Sequence, residues 1–188
     1  MTEAHSPPNR KLMYLAIALA LFWLFCLKVF LPARPSDLEN TGLSEPADYN
    51  WTLTDLDGQA VPFAKFKGKT VFLNIWATWC GPCVGEMPSI AKLARDPRLQ
   101  GKNIEFVCAS IAESAESVRG FLTGKDWTMT ILRADKTPAV FSSEGIPATF
   151  LIGPDGRIAA TKIGAADWNE PGVVAFLEKL ASTPTKPR

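Results

Sequence analysis

An α/β domain with a mixed central sheet flanked by helices, preceded by a strand pair and an N-terminal transmembrane helix, is the fold this sequence predicts. Three observations predict it. Two mostly apolar runs rich in strand formers, Thr70–Trp76 and Ile104–Ile111, read as buried central strands. Helical periodicity follows each of them, so strands and helices alternate as a layered α/β domain requires. Near the N-terminus, Leu12–Leu27 carries no charge, and the run extended to Leu31 contains only Lys28.

The elements follow in chain order. Residues 1–11 form an N-terminal tail ending in Arg10 and Lys11. Residues 12–31 suffice, at ~1.5 Å per residue, for a helix of ~30 Å, the thickness of a bilayer core. Lys28 lies near the end of the run, where its ammonium reaches the interface. A cleavable signal peptide is the competing reading, but its apolar region is shorter and its cleavage site small-x-small. Here Leu31 would occupy the −3 position for cleavage after Ala33, a poor match. Arg10 and Lys11 before the run favour a cytoplasmic N-terminus, with the remainder beyond the membrane. Residues 32–47, with Pro32, Pro35, Gly42 and Pro46, read as a semi-extended linker. The domain follows over 48–183, and 184–188 is expected to be a disordered tail.

Within the domain, Trp51–Thr54 and Ala60–Phe63 flank the turn pair Asp57-Gly58 and form the strand pair. Thr70–Trp76 is the first central strand, and a helix is expected from Pro82 to Arg95. Ile104–Ile111 is the second, followed by a helix over Ser114–Leu122 with Val118, Phe121 and Leu122 on one face. Met129–Leu132 makes a short strand. Ala148–Ile152 and Arg157–Thr161, joined through Gly153-Pro154-Asp155-Gly156, make a hairpin. The last helix is expected to open at Asp167, with Glu170 at capping-box spacing and Val173, Phe176, Leu177 and Leu180 on its apolar stripe.

Composition removes several functions. There are 20 basic and 19 acidic residues, a net charge of +1, and from Asp37 onward 16 basic and 18 acidic. A nucleic-acid binder would show a basic excess. The single histidine, His5, precedes the domain, so no histidine triad or histidine-rich metal site can form within it. Four cysteines are too few and too scattered for a disulfide-stapled scaffold.

The chemistry resides in Cys80-Gly81-Pro82-Cys83, which directly follows a strand and opens a helix. A thiolate there faces unpaired N–H groups and the positive end of the helix dipole, so its pKa falls. Pro82 suits the first turn, where no N–H is needed. The spacing lets the two sulfurs bond, with Cys80 as nucleophile and Cys83 as resolving thiol in thiol–disulfide exchange. That exchange needs no cofactor. A structural zinc clip is the alternative, but it needs four ligands, and only Cys108 and Cys26 remain. Cys108, in mid-strand, reads as a core thiol.

At these residues the sequence resembles the thioredoxin-like superfamily. Trp76-Ala77-Thr78-Trp79-Cys80-Gly81-Pro82-Cys83 looks like the thioredoxin active-site segment, and Gly145-Ile146-Pro147-Ala148-Thr149-Phe150 its cis-proline loop. Pro88 matches the proline that kinks the active-site helix. Asp57-Gly58, Gly68-Lys69, Asn74, Glu86-Met87-Pro88 and Asp155-Gly156 resemble the TlpA/ResA-type membrane-anchored disulfide reductases, over about residues 48–181. The resemblance implies a thioredoxin-like fold and a cis Pro147 lying against Cys80, with the Ile146 backbone pairing to substrate. It implies that Asn74 stands where cytosolic thioredoxins bury an Asp, so the usual buried base is missing. It also implies that Glu86, three residues past the second cysteine, takes the Cys83 proton; the plainer reading is a first-turn acid that suits the helix dipole. Trp79 reads as an apolar substrate contact and a shield for the sulfurs, Trp76 as core.

The function these readings imply is a membrane-anchored extracytoplasmic thiol-disulfide oxidoreductase working as a reductant. Its substrates would be protein disulfides, for example the haem-binding cysteines of apocytochromes c or those of a copper-site protein. A transmembrane electron donor of the CcdA or DsbD type would re-reduce it. The rivals are a disulfide oxidase or isomerase on the same fold, a copper or zinc chaperone holding metal on Cys80 and Cys83, and a non-catalytic assembly module.

Overall fold

The computed structural model describes residues 45–184, together with positions 11, 13, 14, 16, 17, 19, 20, 22 and 23. The chain divides into two compact units, Met1–Ser36 and Asp37–Arg188. In the first, the described positions are helical, and Met13, Tyr14, Ile17, Leu19, Phe22 and Trp23 are exposed. Among the described residues no helix is long and apolar enough to cross a membrane. Most of the expected span over 12–31, most of the linker and most of the 184–188 tail lie outside the described residues.

Among its described residues the second unit is built on seven strands: β1 (Thr52–Thr54), β2 (Ala60–Pro62), β3 (Thr70–Trp76), β4 (Ile104–Ile111), β5 (Thr130–Ala134), β6 (Ala148–Ile152) and β7 (Ile158–Ile163). Three helices follow β3, β4 and β7: α1 (Gly81–Ala94), α2 (Ala115–Leu122) and α3 (Pro171–Ala181). The sheet order is β2-β1-β5-β4-β3-β6-β7. β3, β4 and β5 run parallel, while β6, β7, β1 and β2 add antiparallel neighbours, so the sheet is mixed as expected.

β3 is buried along its whole length, because both faces of the sheet are covered there. Its alternation divides the core. Phe72 and Trp76 belong to one cluster, with residues of α1, α2 and α3; Val71, Leu73 and Ile75 belong to the other. That second cluster is closed by Trp51, Phe63, Phe66 and Phe141. Three of these aromatics sit on two short 3-10 turns, Phe63–Phe66 and Ala139–Phe141. The three helices thus share one face, and aromatic-bearing turns cover the other.

Beyond shifts of one residue at other element ends, four elements depart from expectation in an informative way. Phe63 opens a 3-10 turn, not the end of a strand, so β2 stops at Pro62. The fifth strand runs over Thr130–Ala134, because its partner is β4 and the parallel ladder continues to Ile111↔Ala134. β7 extends to Ile163, paired with Ala148. The last helix starts at Pro171, not at Asp167, and its N-cap Glu170 makes no side-chain cap bond. Asp167 instead turns its carboxylate to the N–H of Asn169, and Pro171 supplies the helical φ that starts α3.

Phe72 is fully buried, edge-on to Trp168 at 4.9 Å and tilted against Phe106 at 5.3 Å. Phe72→Ala is expected to cost ~3–5 kcal/mol. Urea denaturation should show a lower midpoint with an unchanged slope.

Candidate active site

Parallel pairing of β3 with β4 places the loops after both strands at one edge of the sheet. The loop after β3 carries Thr78, Trp79 and Cys80. Cys80 is the N-cap of α1, in extended conformation, and its sulfur accepts the Cys83 backbone N–H at 3.3 Å. Pro82 lies in the first turn. Cys80 and Cys83 form a disulfide, with Cα atoms 5.2 Å apart. The pair is asymmetric: Cys83 is fully buried at 0% exposure, while Cys80 retains 7% and is flanked by exposed Trp79, Gly81 and Pro82.

The Ile146–Pro147 bond is cis, at the start of β6. The Ile146 carbonyl oxygen lies 3.7 Å from Cys80 Sγ. A disulfide sulfur carries no proton, so this is a contact and not a hydrogen bond. Pro147 is buried and its carbonyl accepts the Gly164 N–H at 2.8 Å, which ties the loop to the end of β7.

Glu86 is the sixth residue of α1, so it is not the first-turn acid of the plainer reading. It points inward, only 3% exposed. One carboxylate oxygen accepts Asn74 Nδ2–H at 2.8 Å; the other accepts Trp168 Nε1–H at 2.9 Å and the Ala166 N–H at 3.1 Å. Register explains the arrangement. Asn74 pairs with Cys108 on β4 and with Thr149 on β6, so these three form a row across the sheet beneath α1. Asn74 Nδ2 also donates to Thr149 Oγ1 at 2.9 Å. Burial pushes the Glu86 pKa up, and the donors from Trp168, Ala166 and Asn74 pull it back only in part. Cys108 is fully buried; burial first, and the Glu86 charge second, drive its thiol pKa far upward, so it stays protonated and inert. A cleft of about 380 Å³, lined by Pro82, Gly85, Glu86, Ala165, Ala166 and Asp167, opens beside α1.

Sequence reasoning missed two partners. Trp168 and Ala166 reach Glu86 from the segment before α3, 80 or more positions along the chain, and no local pattern marks them. Glu113 follows β4 and grips the β3–α1 loop: both its oxygens accept the Thr78 N–H at 3.0 Å, and it accepts from the hydroxyls of Thr78 and Ser110. Arg133 Nε donates to the Glu113 carbonyl at 3.0 Å. The preceding residue, Ala112, has φ 57, a left-handed conformation that costs a residue with a Cβ about 1–2 kcal/mol. The signal available in the sequence was topological: an acid just past a parallel strand adjoining the CxxC strand.

A buried, solvent-biased cysteine pair at a helix N-terminus, beside a cis-proline loop, defines a dithiol–disulfide exchange centre on a thioredoxin-like fold. The comparisons agree. The Redoxin family model matches residues 43–177. The chain is 34% identical to the thiol-disulfide oxidoreductase ResA of a Bacillus cereus strain over 133 residues, 70% of this chain and 75% of that protein. It is 32% identical to the ResA of Bacillus subtilis (strain 168) over 125 residues, 65% of this chain and 69% of that protein. In fold it is similar to a thiol:disulfide interchange protein of the thioredoxin family from Chlorobium tepidum TLS, with a TM-score of 0.60 at 21% identity, over 74% of this chain and 97% of that one. The chain belongs to the redoxin family and, within it, to the ResA-type thiol-disulfide oxidoreductases, with Cys80 and Cys83 as its cysteine pair.

The raised Glu86 pKa has a sign for stability. A carboxyl that holds its proton more tightly when folded stabilises the fold fully below its unfolded value, near 4.5, and that contribution is lost as pH rises through the folded value. Glu86→Gln removes the titration. As pH rises from below 4.5, denaturation experiments should therefore show the stability difference moving steadily in favour of the variant, whatever its offset at low pH. A difference moving the other way would mean a lowered pKa.

Proposed function

We propose that this protein is a membrane-anchored, extracytoplasmic protein-disulfide reductase in which Cys80 attacks, Cys83 resolves and Glu86 accepts the Cys83 proton. The observation that carries the reading is the buried Glu86 carboxylate one helical turn from Cys83, with a pKa raised toward the working range. Its charge opposes a second anion on Cys83. Oxidising pairs gain their potential from a stabilised reduced form, so this placement favours a reductant.

The reaction begins with the reduced pair. The Cys80 thiolate attacks one sulfur of a substrate disulfide; that S–S bond breaks, a Cys80–substrate disulfide forms, and the other substrate sulfur leaves as a thiolate. The slight exposure of Cys80, 7% against 0% for Cys83, supports this order. Cys83 then gives its proton to Glu86 and attacks Cys80 Sγ. The Cys80–Cys83 disulfide forms, the second substrate sulfur leaves, and two electrons have passed to the substrate. Trp79 presents apolar surface to the incoming chain, and the Ile146 carbonyl, close to Cys80, is positioned to pair with its backbone. Protonated Glu86 loses its proton through the cleft beside α1.

An exported reductant must itself be re-reduced, which calls for a transmembrane donor of the CcdA or DsbD type. The substrate class is a protein with a paired-cysteine site, such as the haem-binding cysteines of apocytochrome c or a copper site. Met13, Tyr14, Ile17, Leu19, Phe22 and Trp23, helical and exposed, support the anchor, and Arg10 and Lys11 favour an N-terminus on the inside.

Glu86→Gln should slow resolution of a mixed disulfide by ~10²-fold or more and flatten its pH dependence, leaving the Cys80 attack little changed. Stopped-flow kinetics across pH separate the two steps, and wild-type resolution at every pH would remove Glu86 from the mechanism. In cells, Cys83→Ser should accumulate mixed disulfides through Cys80 that identify the substrates. A reduction potential in the range of oxidases would reverse the direction. An alkaline phosphatase fused after Arg188 should be active, and an inactive fusion would contradict the topology.

A further inference from the structure

Asn74 is fully buried beneath Glu86, and its hydrogen bonding is one-sided. Its Nδ2 donates to Glu86 at 2.8 Å and to Thr149 Oγ1 at 2.9 Å, while its Oδ1 has no partner. This arrangement suits an ionised Glu86, which only accepts. A protonated Glu86 reverses the requirement. Its second oxygen already receives two N–H donors, from Ala166 and Trp168, so the proton resides on the oxygen facing Asn74. There an O–H would oppose an N–H, two donors with no acceptor between them.

Turning the amide by 180° about its Cβ–Cγ bond resolves the conflict, since its two ends have nearly the same shape. Oδ1 then accepts from the Glu86 O–H and from the Thr149 hydroxyl, which can donate as readily as accept. Each orientation makes two bonds and leaves one amide atom unpaired, so neither is favoured by count. The geometry points to Asn74 as a positioning residue that turns over with the proton on Glu86. It receives an ionised carboxylate with its nitrogen and a protonated one with its oxygen. A donor that could not turn would hold Glu86 ionised and oppose its use as an acceptor. The inference rests on the acceptor reading of Glu86 and explains why an amide, not an acid, occupies position 74.

Around Glu86 stand Cys83 one turn back on its own helix, Cys108 from β4, the Ala166 N–H and Trp168 indole from the segment before α3, and Asp167 on the wall of the cleft, with Thr149 from β6 reached through Asn74. Lys162 of β7 stands next in the row beyond Thr149, half-buried on the same face, and is not among the groups that shift the Glu86 pKa. Cys108 stays protonated throughout, which leaves the Asn74 amide as the group able to follow the Glu86 proton.

The test is a pH titration of the reduced full-length protein by nitrogen–proton NMR of the Asn74 side-chain amide, with Asn74→Asp to assign the signal. The Asn74 Nδ2 protons should move with the midpoint of the resolving step, and should not move in Glu86→Gln. Asn74→Ala, which loses a bond in both protonation states, should shift the kinetic midpoint upward by less than about one pH unit, the margin between a bond to a charged and to a neutral group. Larger displacement of the midpoint would mark a fixed donor and overturn the inference. Amide signals that stay still while Glu86→Gln slows resolution would overturn the turning amide alone. Wild-type resolution by Glu86→Gln would overturn the acceptor reading and this inference together.

Discussion

A carboxylate buried at 3% exposure is costly unless each oxygen is met by donors, and that requirement organises this site. The donors to Glu86 come from β3, through Asn74, and from the segment before α3, through Ala166 and Trp168. One side chain on α1 thereby joins the centre of the sheet to the last helix. The same Trp168 that donates to Glu86 packs edge-on against Phe72 of β3 at 4.9 Å. Core packing and the polar cluster are therefore one structure. A loosened core would free the indole, and a lost indole would leave the carboxylate short of a donor.

The cysteines are held by a second constraint. Helix α1 begins at Gly81, and Cys80 caps it with its own sulfur. What fixes the approach to that cap is Glu113, which receives the Thr78 N–H with both oxygens from the loop after β4. The left-handed Ala112 aims it, and strain of this kind persists where surrounding bonds over-determine the backbone. Trp79 lies between the clamp and the cap and projects outward at 64% exposure.

Legibility in the sequence followed the range of the interaction. β3 and β4 were readable because a doubly covered strand is a continuous apolar run, and the CxxC because a strand directly precedes it and Pro82 starts a helix. The 3-10 turn at Phe63 looks like strand in the sequence, since a short apolar run does not distinguish the two. Asp167 and Glu170 have capping-box spacing, but Asp167 bonds locally to Asn169 and Pro171 sets the helix start. Spacing along α1 brought Glu86 to the cysteine end of the helix. It did not show that the carboxylate turns to Asn74 and Trp168, because that depends on strand register and on a segment 82 positions away. The Glu113 clamp had no local pattern for the same reason.

Glu86 is a buried carboxyl that holds its proton more tightly than an ordinary one. Carbon-13 NMR of the Glu86 side-chain carboxyl, titrated in the oxidised and the reduced protein, measures this directly. A midpoint clearly above the ordinary 4.5 is expected in the oxidised protein, with a further response when the disulfide opens. A midpoint at or below 4.5 in both states would show a carboxylate ionised throughout the working range, with no proton for Glu86 to hold.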